Sequence, residues 1–238
     1  MAVCRARGAR AGRARSQHFL RSDRVASELV RAAGITGSDV VVDLGAGTGT
    51  LTSPLAAAAR RVVAVELDPR CAGELRGRWN NVSVLEEDAA QVELPREPFR
   101  VVANLPFDRT TAILRHLLDD PRVPLTRAVV VVEWGVAMKR ALPWPSSLND
   151  VLWAAWYRFT LERRLPRAEF RPQPRVDAGV LVIERREQPL VDPKRCRAYR
   201  AFVASGFRHG LRGSRTPARE LDAHQWAALF EARTTVPR

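Results

Sequence analysis

The chain of 238 residues is 46% hydrophobic and 27% charged, with 39 basic and 26 acidic residues. Its length suits one α/β domain with a full core and leaves about fifty residues for a small appendage. No run of about 18 apolar residues is present, which excludes a membrane-spanning helix. No apolar stretch of signal-peptide length follows the first residues. We therefore expect a cytoplasmic protein without a membrane partner.

The net charge of +13 predicts a polyanionic partner. Nucleic acid is the first candidate and an anionic membrane the second, and charge alone does not choose between them. A GC-rich genome suffices to explain why 37 of the basic residues are arginines. The excess of bases over acids nevertheless suits RNA, because arginine pairs with phosphates and stacks on bases. Cys4, Cys71 and Cys196 lack the spacing of a zinc or iron–sulfur site, so we expect no metal.

Residues 1–15 form a separate segment. They contain five arginines and no acid among mostly Ala and Gly, a composition that cannot build a core and predicts a disordered basic arm. The arginines are candidate RNA contacts: Arg5, Arg7, Arg10, Arg13 and Arg15. A terminus without a role is the alternative, since short termini are commonly disordered.

After the arm, short apolar runs alternate with segments of helical length. A helix is predicted from about Asp23 to Ala33. Seven strands are predicted, at residues 39–43, 62–65, 82–85, 100–103, 128–132, 153–161 and 178–183. This alternation requires crossover connections and predicts an α/β fold, with a mainly parallel sheet covered by helices on both faces.

The pattern changes beyond residue 187, where apolar residues recur at helical spacing. They fall into two groups: Tyr199, Phe202, Val203 and Phe207, then Trp226, Leu229 and Phe230. We therefore predict a main domain at 16–187 and a small helical RNA-binding domain at 188–238.

Three glycines follow the first predicted strand, in Asp43-Leu44-Gly45-Ala46-Gly47-Thr48-Gly49. Open α/β sheets bind ligands at this position. The dinucleotide fingerprint needs Gly or Ala at position 50, where Thr50 stands. The turn instead lets the backbone approach a neutral or zwitterionic ligand, as in S-adenosylmethionine enzymes. A tight turn without a ligand is the alternative.

Acidic residues follow the next two strands. Glu66 comes 21 residues after Gly45, where a carboxylate can accept hydrogen bonds from both ribose hydroxyls of an adenosine. Asp88 can accept a hydrogen bond from the adenine amine, with the backbone amide of Ala89 beside it. A lone acid at a strand end is more often a helix cap, but three such sites at one sheet edge predict an adenosine-containing cofactor.

Asn104-Leu105-Pro106-Phe107 directly follows the fourth predicted strand. It resembles the Asn/Asp-Pro-Pro-Tyr signature of methyltransferases that act on exocyclic amines. The Asn104 amide oxygen and the Leu105 carbonyl, held outward by Pro106, can bind both hydrogens of an adenine amine and orient its nitrogen. Phe107 would stack on the target adenine, splayed out of its RNA. A polar turn before a helix starting near Thr110 is the alternative.

Two further segments carry a resemblance to one family. Ser16-Gln17-His18-Phe19-Leu20 resembles the Ser-Gln-Asn-Phe-Leu/Ile segment that covers the cofactor in the erythromycin-resistance (Erm) 23S ribosomal RNA methyltransferases and their small-subunit relatives. Residues 170–177, Phe-Arg-Pro-Gln-Pro-Arg-Val-Asp, resemble their Phe-x-Pro-x-Pro-x-Val-Asp/Asn loop. The resemblance runs from about Ser16 to Arg186 and places the chain in the ribosomal RNA adenine dimethylase superfamily.

The resemblance implies a Rossmann-like methyltransferase with S-adenosylmethionine as cofactor and 23S ribosomal RNA as partner, acting as a monomer without a metal. It also implies cofactor contacts from Gln17, His18 and Leu20, although the family has Asn where His18 stands. Phe170 would lie on the opposite face of the target adenine from Phe107, or else anchor a proline-rich loop. Candidate phosphate contacts around the pocket mouth are Lys139, Arg140, Arg163, Arg164, Arg167, Arg171 and Arg175.

Three other functions stay open. The small-subunit (16S) dimethyladenosine methyltransferase of ribosome assembly shares these motifs but is normally longer at the C-terminus. A non-catalytic RNA-binding or transcription factor on this fold would not need Gly45, Glu66, Asp88 and Asn104. The charge and the Asn104 segment disfavour a small-molecule methylase of antibiotic biosynthesis. We therefore expect methylation of an adenine N6 amine in 23S ribosomal RNA, giving resistance to macrolide, lincosamide and streptogramin B antibiotics.

Overall fold

The structure is a computed structural model that describes residues 18–145, 147–211 and 216–234. The predicted basic arm with its five arginines, and Gln17, lie outside the described residues. Of the helices described, none combines the length and the hydropathy that crossing a bilayer requires.

Helices and strands alternate along the described chain. The strands are β1 (Phe19–Leu20), β2 (Val40–Leu44), β3 (Arg61–Val65), β4 (Val82–Leu85), β5 (Phe99–Asn104), β6 (Leu125–Glu133), β7 (Tyr157–Leu165), β8 (Phe170–Arg171) and β9 (Ala178–Arg185). The helices are α1 (Asp23–Ala32), α2 (Thr52–Ala58), α3 (Pro69–Leu75), α4 (Thr110–Leu118), α5 (Trp134–Arg140), α6 (Leu148–Ala154), α7 (Cys196–His209) and α8 (Ala223–Thr234).

Seven of the described strands form one sheet in the order β4-β3-β2-β5-β6-β9-β7. The first five run parallel, and β9 and β7 close one side with antiparallel pairs. This confirms the prediction of a mainly parallel, Rossmann-like sheet. The strand order reverses between β2 and β5, so their carboxyl ends open the crevice where such sheets bind ligands.

The central strands are buried on both faces. Val41 belongs to the same hydrophobic cluster as Leu29 of α1 and Leu55 of α2, whereas Val42 belongs to a second cluster, with Ile113 of α4. Successive residues of a strand point to opposite faces, so a strand covered by helices on both sides needs a continuous apolar run. This is why the apolar runs of the sequence located the parallel strands correctly.

The strand predicted at 153–161 begins later, at Tyr157, and this part of the prediction is wrong. Trp153 belongs to α6, where it is fully buried and its indole N–H donates to Asp119 Oδ1 at 2.8 Å. The Ser147 side chain caps this helix by accepting from the backbone amide of Asp150. A short apolar run in a buried helix cannot be told from a buried strand by periodicity, which explains the error.

In the part that the structure describes, the segment after residue 187 is helical, as the spacing predicts, and its buried residues share the core of the main domain. Tyr199 of α7 lies 5.8 Å from the Trp156 ring and 5.2 Å from the Phe230 ring of α8. These side chains belong to the same hydrophobic cluster as Val42 and Val130 of the sheet. The two helices therefore extend the core of the main domain.

Asp43, near the end of β2, is a fully buried carboxyl group. Its Oδ2 accepts a hydrogen bond from Thr52 Oγ1 at 2.7 Å, and Oδ1 has no partner among the described residues. Burial, together with the nearby charge of Glu66, raises the pKa of Asp43 to about 7, although the hydrogen bond from Thr52 works in the opposite direction. The carboxyl group is therefore costly to ionise in the folded protein.

We expect Asp43→Asn to stabilise the ligand-free protein clearly more at pH 8 than at pH 5. The folded carboxyl keeps its proton up to about pH 7, whereas its ordinary pKa is 3.8. Folding therefore takes up a proton between these values, and the free energy of unfolding of the parent falls as the pH rises through this window. Asn stays uncharged and can still accept from Thr52. Thermal melts should show a gain of several degrees at pH 8, since about 1 kcal/mol moves Tm by about 2–4 °C at this size. An equal difference at both pH values would contradict the assignment.

Candidate active site

A cavity of about 220 Å³ lies at the carboxyl ends of β2 to β5. It is lined by eight residues that the sequence predicted for the site: His18, Gly45, Glu66, Asp88, Ala89, Asn104, Leu105 and Pro106. The glycine loop, the two acidic positions and the Asn104 segment are thus brought together at one sheet edge.

Glu66 is 4% exposed and holds the loop around it. Its Oε2 accepts from the backbone amide of Gly47 at 2.7 Å, and its Oε1 accepts from that of Asp68 at 2.8 Å. Gly47, predicted as a cofactor contact, is not among the residues lining the cavity. A carboxylate has about four acceptor positions, so Glu66 retains capacity for two more donors, such as a pair of hydroxyls.

Asp88 is the second acidic residue of the predicted site and also lines the cavity. Its Oδ1 accepts from the backbone amide of Ala90 at 2.9 Å, and its Oδ2 forms an ion pair with Arg109 at 2.6 Å. Ala89 lines the cavity beside it, as expected. Asp88 likewise keeps acceptor capacity after these two contacts.

Two glycines allow close approaches to the loop. Gly47 has a φ of +57°, and a Cβ there would lie 2.8 Å from the ring of Phe19, which covers the loop. Gly45 has a φ of +79°, and a Cβ there would lie 3.4 Å from Pro106 Cδ. Any larger residue at position 47 would displace Phe19, so the glycine spacing serves close packing as well as turn geometry.

The Asn104 amide has a defined orientation. Its Nδ2 donates to the backbone carbonyl of His18 at 2.6 Å, whereas its Oδ1 is buried without a partner among the described residues. Asn104 and Asp43 both line a small hollow of about 20 Å³ next to the main cavity, and Asp43 Oδ1 is also unpartnered. Buried acceptors are normally satisfied. Above the pKa of Asp43, where its carboxyl group is ionised, this end of the site lacks hydrogen-bond donors, and an amine or ammonium group would supply them.

The turn that contains Asn104 is held by backbone contacts. The amide of Leu105 donates to the Val131 carbonyl at 3.0 Å. The Pro106 carbonyl accepts from the Arg109 amide at 2.9 Å and from Thr110 Oγ1 at 3.2 Å, at the start of α4. The helix starts at Thr110, as the sequence predicts, and its first turn immobilises the segment.

Three rings meet near Asn104. Phe107 is half-buried, with its ring 5.4 Å from that of His18 and 6.3 Å from that of Phe170. Phe170 is 2% exposed, meets Phe107 edge-on, and belongs to the same buried cluster as Leu20. The two rings are not parallel here, and the burial of Phe170 is what an anchor of the proline-rich loop requires. Its place on the far face of the adenine stays a prediction.

The covering segment is attached to that loop. β1 pairs with β8, which sets Leu20 opposite Phe170, and His18 Nδ1 lies 2.8 Å from the Pro172 carbonyl. His18 lines the cavity, and Leu20 lines the small hollow. The His18 contact with Asn104 runs through its backbone, so the departure from the family's Asn leaves that contact intact.

The predicted phosphate contacts divide into two groups. Arg140 is wrong as a surface contact: its side chain is 10% exposed, pairs with the buried Asp150 and lies over the Trp153 ring at 4.8 Å. The other six have exposed or partly exposed side chains: Lys139, Arg163, Arg164, Arg167, Arg171 and Arg175. Arg163 is tied to Glu28 at 2.6 Å.

Asp177 organises part of this basic surface. Its Oδ1 accepts from the Arg167 amide at 2.8 Å, and its Oδ2 accepts from the Arg164 guanidinium at 2.7 Å. The Arg167 amide and then the Arg164 guanidinium hold the pKa of Asp177 below its ordinary value. The Asp177 carbonyl also accepts from the Trp134 amide at 2.9 Å, which joins the loop to the end of β6 beside the Asn104 turn.

The sequence interpretation missed several residues of the site. Phe19, Leu67, Glu87, Asp108, Arg109 and Ile113 also line the cavity. Asp108 and Arg109 directly follow the Asn104 segment, and this adjacency was the available signal. The sequence interpretation assigned no role to Asp43, although this residue lies inside the glycine motif. Within the described ranges, no group of three or more His, Cys, Asp or Glu side chains could hold a metal ion.

Comparison with known proteins gives a consistent result. The ribosomal RNA adenine dimethylase family matches residues 9–212. An rRNA adenine N-6-methyltransferase of Corynebacterium diphtheriae is 36% identical over 199 residues, covering 83% of this chain and 78% of its own length. The mycinamicin-resistance protein MyrB of Micromonospora griseorubida is 38% identical over 215 residues, covering 87% of this chain and 68% of its own length.

A solved structure agrees with these relatives. The crystal structure of the 23S rRNA methyltransferase ErmE superimposes with a TM-score of 0.73 at 26% identity, covering 90% of this chain and 98% of that one. The match extends past the sheet into the C-terminal helices. The chain belongs to the ribosomal RNA adenine dimethylase family and is a ribosomal RNA adenine methyltransferase.

Proposed function

We propose that the protein transfers a methyl group from S-adenosylmethionine to the N6 amine of an adenine in 23S ribosomal RNA, and thereby confers resistance to macrolide, lincosamide and streptogramin B antibiotics. The observation that carries methyl transfer is the buried, unpartnered Asn104 Oδ1 at the edge of a cavity that also presents Glu66 and Asp88. The mycinamicin-resistance relative and the likeness to the 23S enzyme support the large subunit as the substrate. Because its partner is ribosomal RNA, the protein would act in the compartment that holds ribosomes.

The residues present suit the cofactor. Glu66 and Asp88 both line the cavity and retain acceptors, for ribose hydroxyls and the adenine amine respectively. The unpartnered Oδ1 of Asp43 suits the positively charged amino group of the methionine part, which leaves Asn104 Oδ1 for the target amine. Phe19 lies over the glycine loop and would shield this part from water. When bound, the cofactor supplies a methyl group on a positively charged sulfur.

The adenine amine is a poor nucleophile, so the task of the protein is to orient it. Asn104 Oδ1 and the Leu105 carbonyl accept its two hydrogens, which favours a pyramidal nitrogen with its lone pair available. Orientation and electrostatics, without a general base, perform this step. Phe107 offers one stacking face at the mouth of the site, and Phe170 keeps the adjoining loop in place.

The surface beside the mouth supports RNA as the substrate. Arg164, Arg167, Arg171 and Arg175 lie on or next to the loop that adjoins Phe107, and their side chains are exposed. Asp177 neutralises one guanidinium and leaves a local excess of positive charge. Such contacts release counterions from the phosphate backbone, so we expect the RNA affinity to fall steeply with salt.

The first test concerns the cofactor. We expect the parent to bind S-adenosylmethionine at 1:1 stoichiometry, and Glu66→Ala to weaken binding by about 1–3 kcal/mol because ribose hydroxyls lose their acceptor. Titration calorimetry measures both values, and a thermal melt checks that the variant folds despite the lost contacts to Gly47 and Asp68. Absence of heat with a folded parent would remove this cofactor from the proposal.

A second test separates chemistry from binding. Asn104→Ala should lower the rate of methyl transfer on the order of 100-fold or more, while RNA affinity changes little because it depends on arginines outside the turn. Single-turnover transfer of labelled methyl groups and filter binding at one salt concentration supply the two readouts. Transfer at a near-parent rate would show that the proposed amine contact is wrong.

The third test addresses the biological outcome. Expression in a sensitive bacterium should raise resistance to macrolides and lincosamides, with no change toward aminoglycosides such as kasugamycin, because a methylated adenine in the antibiotic tunnel loses a donor and gains bulk. Primer extension should map the modified base to 23S RNA, and Asn104→Ala should abolish both effects. Unchanged macrolide sensitivity, together with restored methylation in a strain lacking its small-subunit dimethylase, would favour the 16S enzyme instead.

A further inference from the structure

Arg109 joins the two functional ends of the cavity. It precedes α4, and its backbone amide donates to the Pro106 carbonyl at 2.9 Å, within the turn that presents Asn104. Its guanidinium reaches Asp88 Oδ2 at 2.6 Å, where the acceptor for the cofactor's adenine is expected. The Arg109 side chain therefore links the catalytic turn to the loop that follows β4.

The charge around Arg109 is otherwise negative. Of the described residues that line the cavity, Arg109 is the one arginine, and it shares the wall with Glu66, Glu87, Asp88 and Asp108. The side chains of Arg109 and Asp88 are 46% and 25% exposed. An ion pair this exposed contributes little to folding, at most about 1 kcal/mol. We therefore expect Arg109 to affect ligand binding more than the stability of the fold.

The contacts of Asp88 indicate what that effect is. The Ala90 amide holds Oδ1 and the Arg109 guanidinium holds Oδ2, so the carboxylate cannot turn without breaking one of them. About two of its four acceptor positions remain, on a group of defined orientation. A preoriented acceptor binds a donor more tightly than a rotating one, because the ordering cost is met before the ligand arrives.

We propose that Arg109 is a positioning residue for the cofactor's adenine: through Asp88 it sets both the affinity for the cofactor and the preference for a base that carries an exocyclic amine. The inference rests on the proposed function, since it assumes an adenosine in this cavity. It adds a residue outside the sequence motifs that resemble the family.

The test uses two probes, S-adenosylhomocysteine and S-inosylhomocysteine, which differ in whether the base presents an amine donor or an oxygen acceptor to Asp88. Calorimetry on the full-length protein compares the parent with Arg109→Met and Arg109→Lys. We expect Arg109→Met to weaken the binding of S-adenosylhomocysteine about tenfold. The preference for S-adenosylhomocysteine over S-inosylhomocysteine should fall to about threefold or less. Arg109→Lys should restore part of the affinity and part of the base preference, because lysine keeps the positive charge but lacks the planar set of N–H donors of arginine.

Arg76→Met is the matched control. Arg76 pairs with Glu86 at 2.8 Å, with side chains 51% and 37% exposed, and neither residue lines the cavity. It should bind both probes as the parent does. RNA binding at one salt concentration should fall equally in Arg76→Met and Arg109→Met, since each loses one positive charge.

Each remaining outcome has one meaning. Parent-like affinity and base preference in Arg109→Met would overturn the inference, as would a loss confined to RNA binding, which would make Arg109 a phosphate contact. Should Arg109→Met fail to fold, Arg109→Lys and Arg109→Gln decide by the same comparison of probes. A folded parent that binds neither probe would refute the proposed cofactor itself and not the role of Arg109 alone.

Discussion

The hydrogen bond from Asn104 Nδ2 to the His18 carbonyl is the contact on which the reactive geometry depends. A primary amide can turn by 180° and exchange its donor for its acceptor, and only its partners decide between the two. By engaging the nitrogen, the covering segment leaves the oxygen unpartnered. That segment is itself held by the β1–β8 pair and by Pro172. The acceptor at the site is thus defined by chain segments far apart in sequence.

The sign of charge changes between the cavity and the surface around it. The chain carries a net charge of +13, yet four carboxylates face one arginine on the cavity wall, and Asp43 and Asn104 add unpartnered acceptors. A positively charged, donor-rich ligand suits the inside, and a polyanion suits the outside. The charge of the cavity wall therefore disfavours binding of the polyanion there, and the charge of the outer surface disfavours binding of the positively charged ligand.

The sequence predicts the parts of this molecule that local patterns determine. Apolar runs located the parallel strands, and motifs at strand ends located most residues of the cavity, because parallel strands bring their carboxyl ends to one edge. The errors concern side chains whose partners lie outside the local motif. Arg140 is paired with Asp150 across the turn between two helices. The strand predicted to begin at Trp153 was wrong because a buried helix and a buried strand share the same local composition.

The shared core of the C-terminal helices has a consequence for the way such an enzyme can diversify. Tyr199 and Trp226 are fully buried in the cluster that also contains Val130 of the central sheet. Exchanging this tail with that of a relative would have to preserve the packing of large aromatic rings against Trp156, not only the length of a linker. Exposed side chains on α7 and α8 can therefore change without disturbing this packing, whereas replacement of the tail as a module cannot.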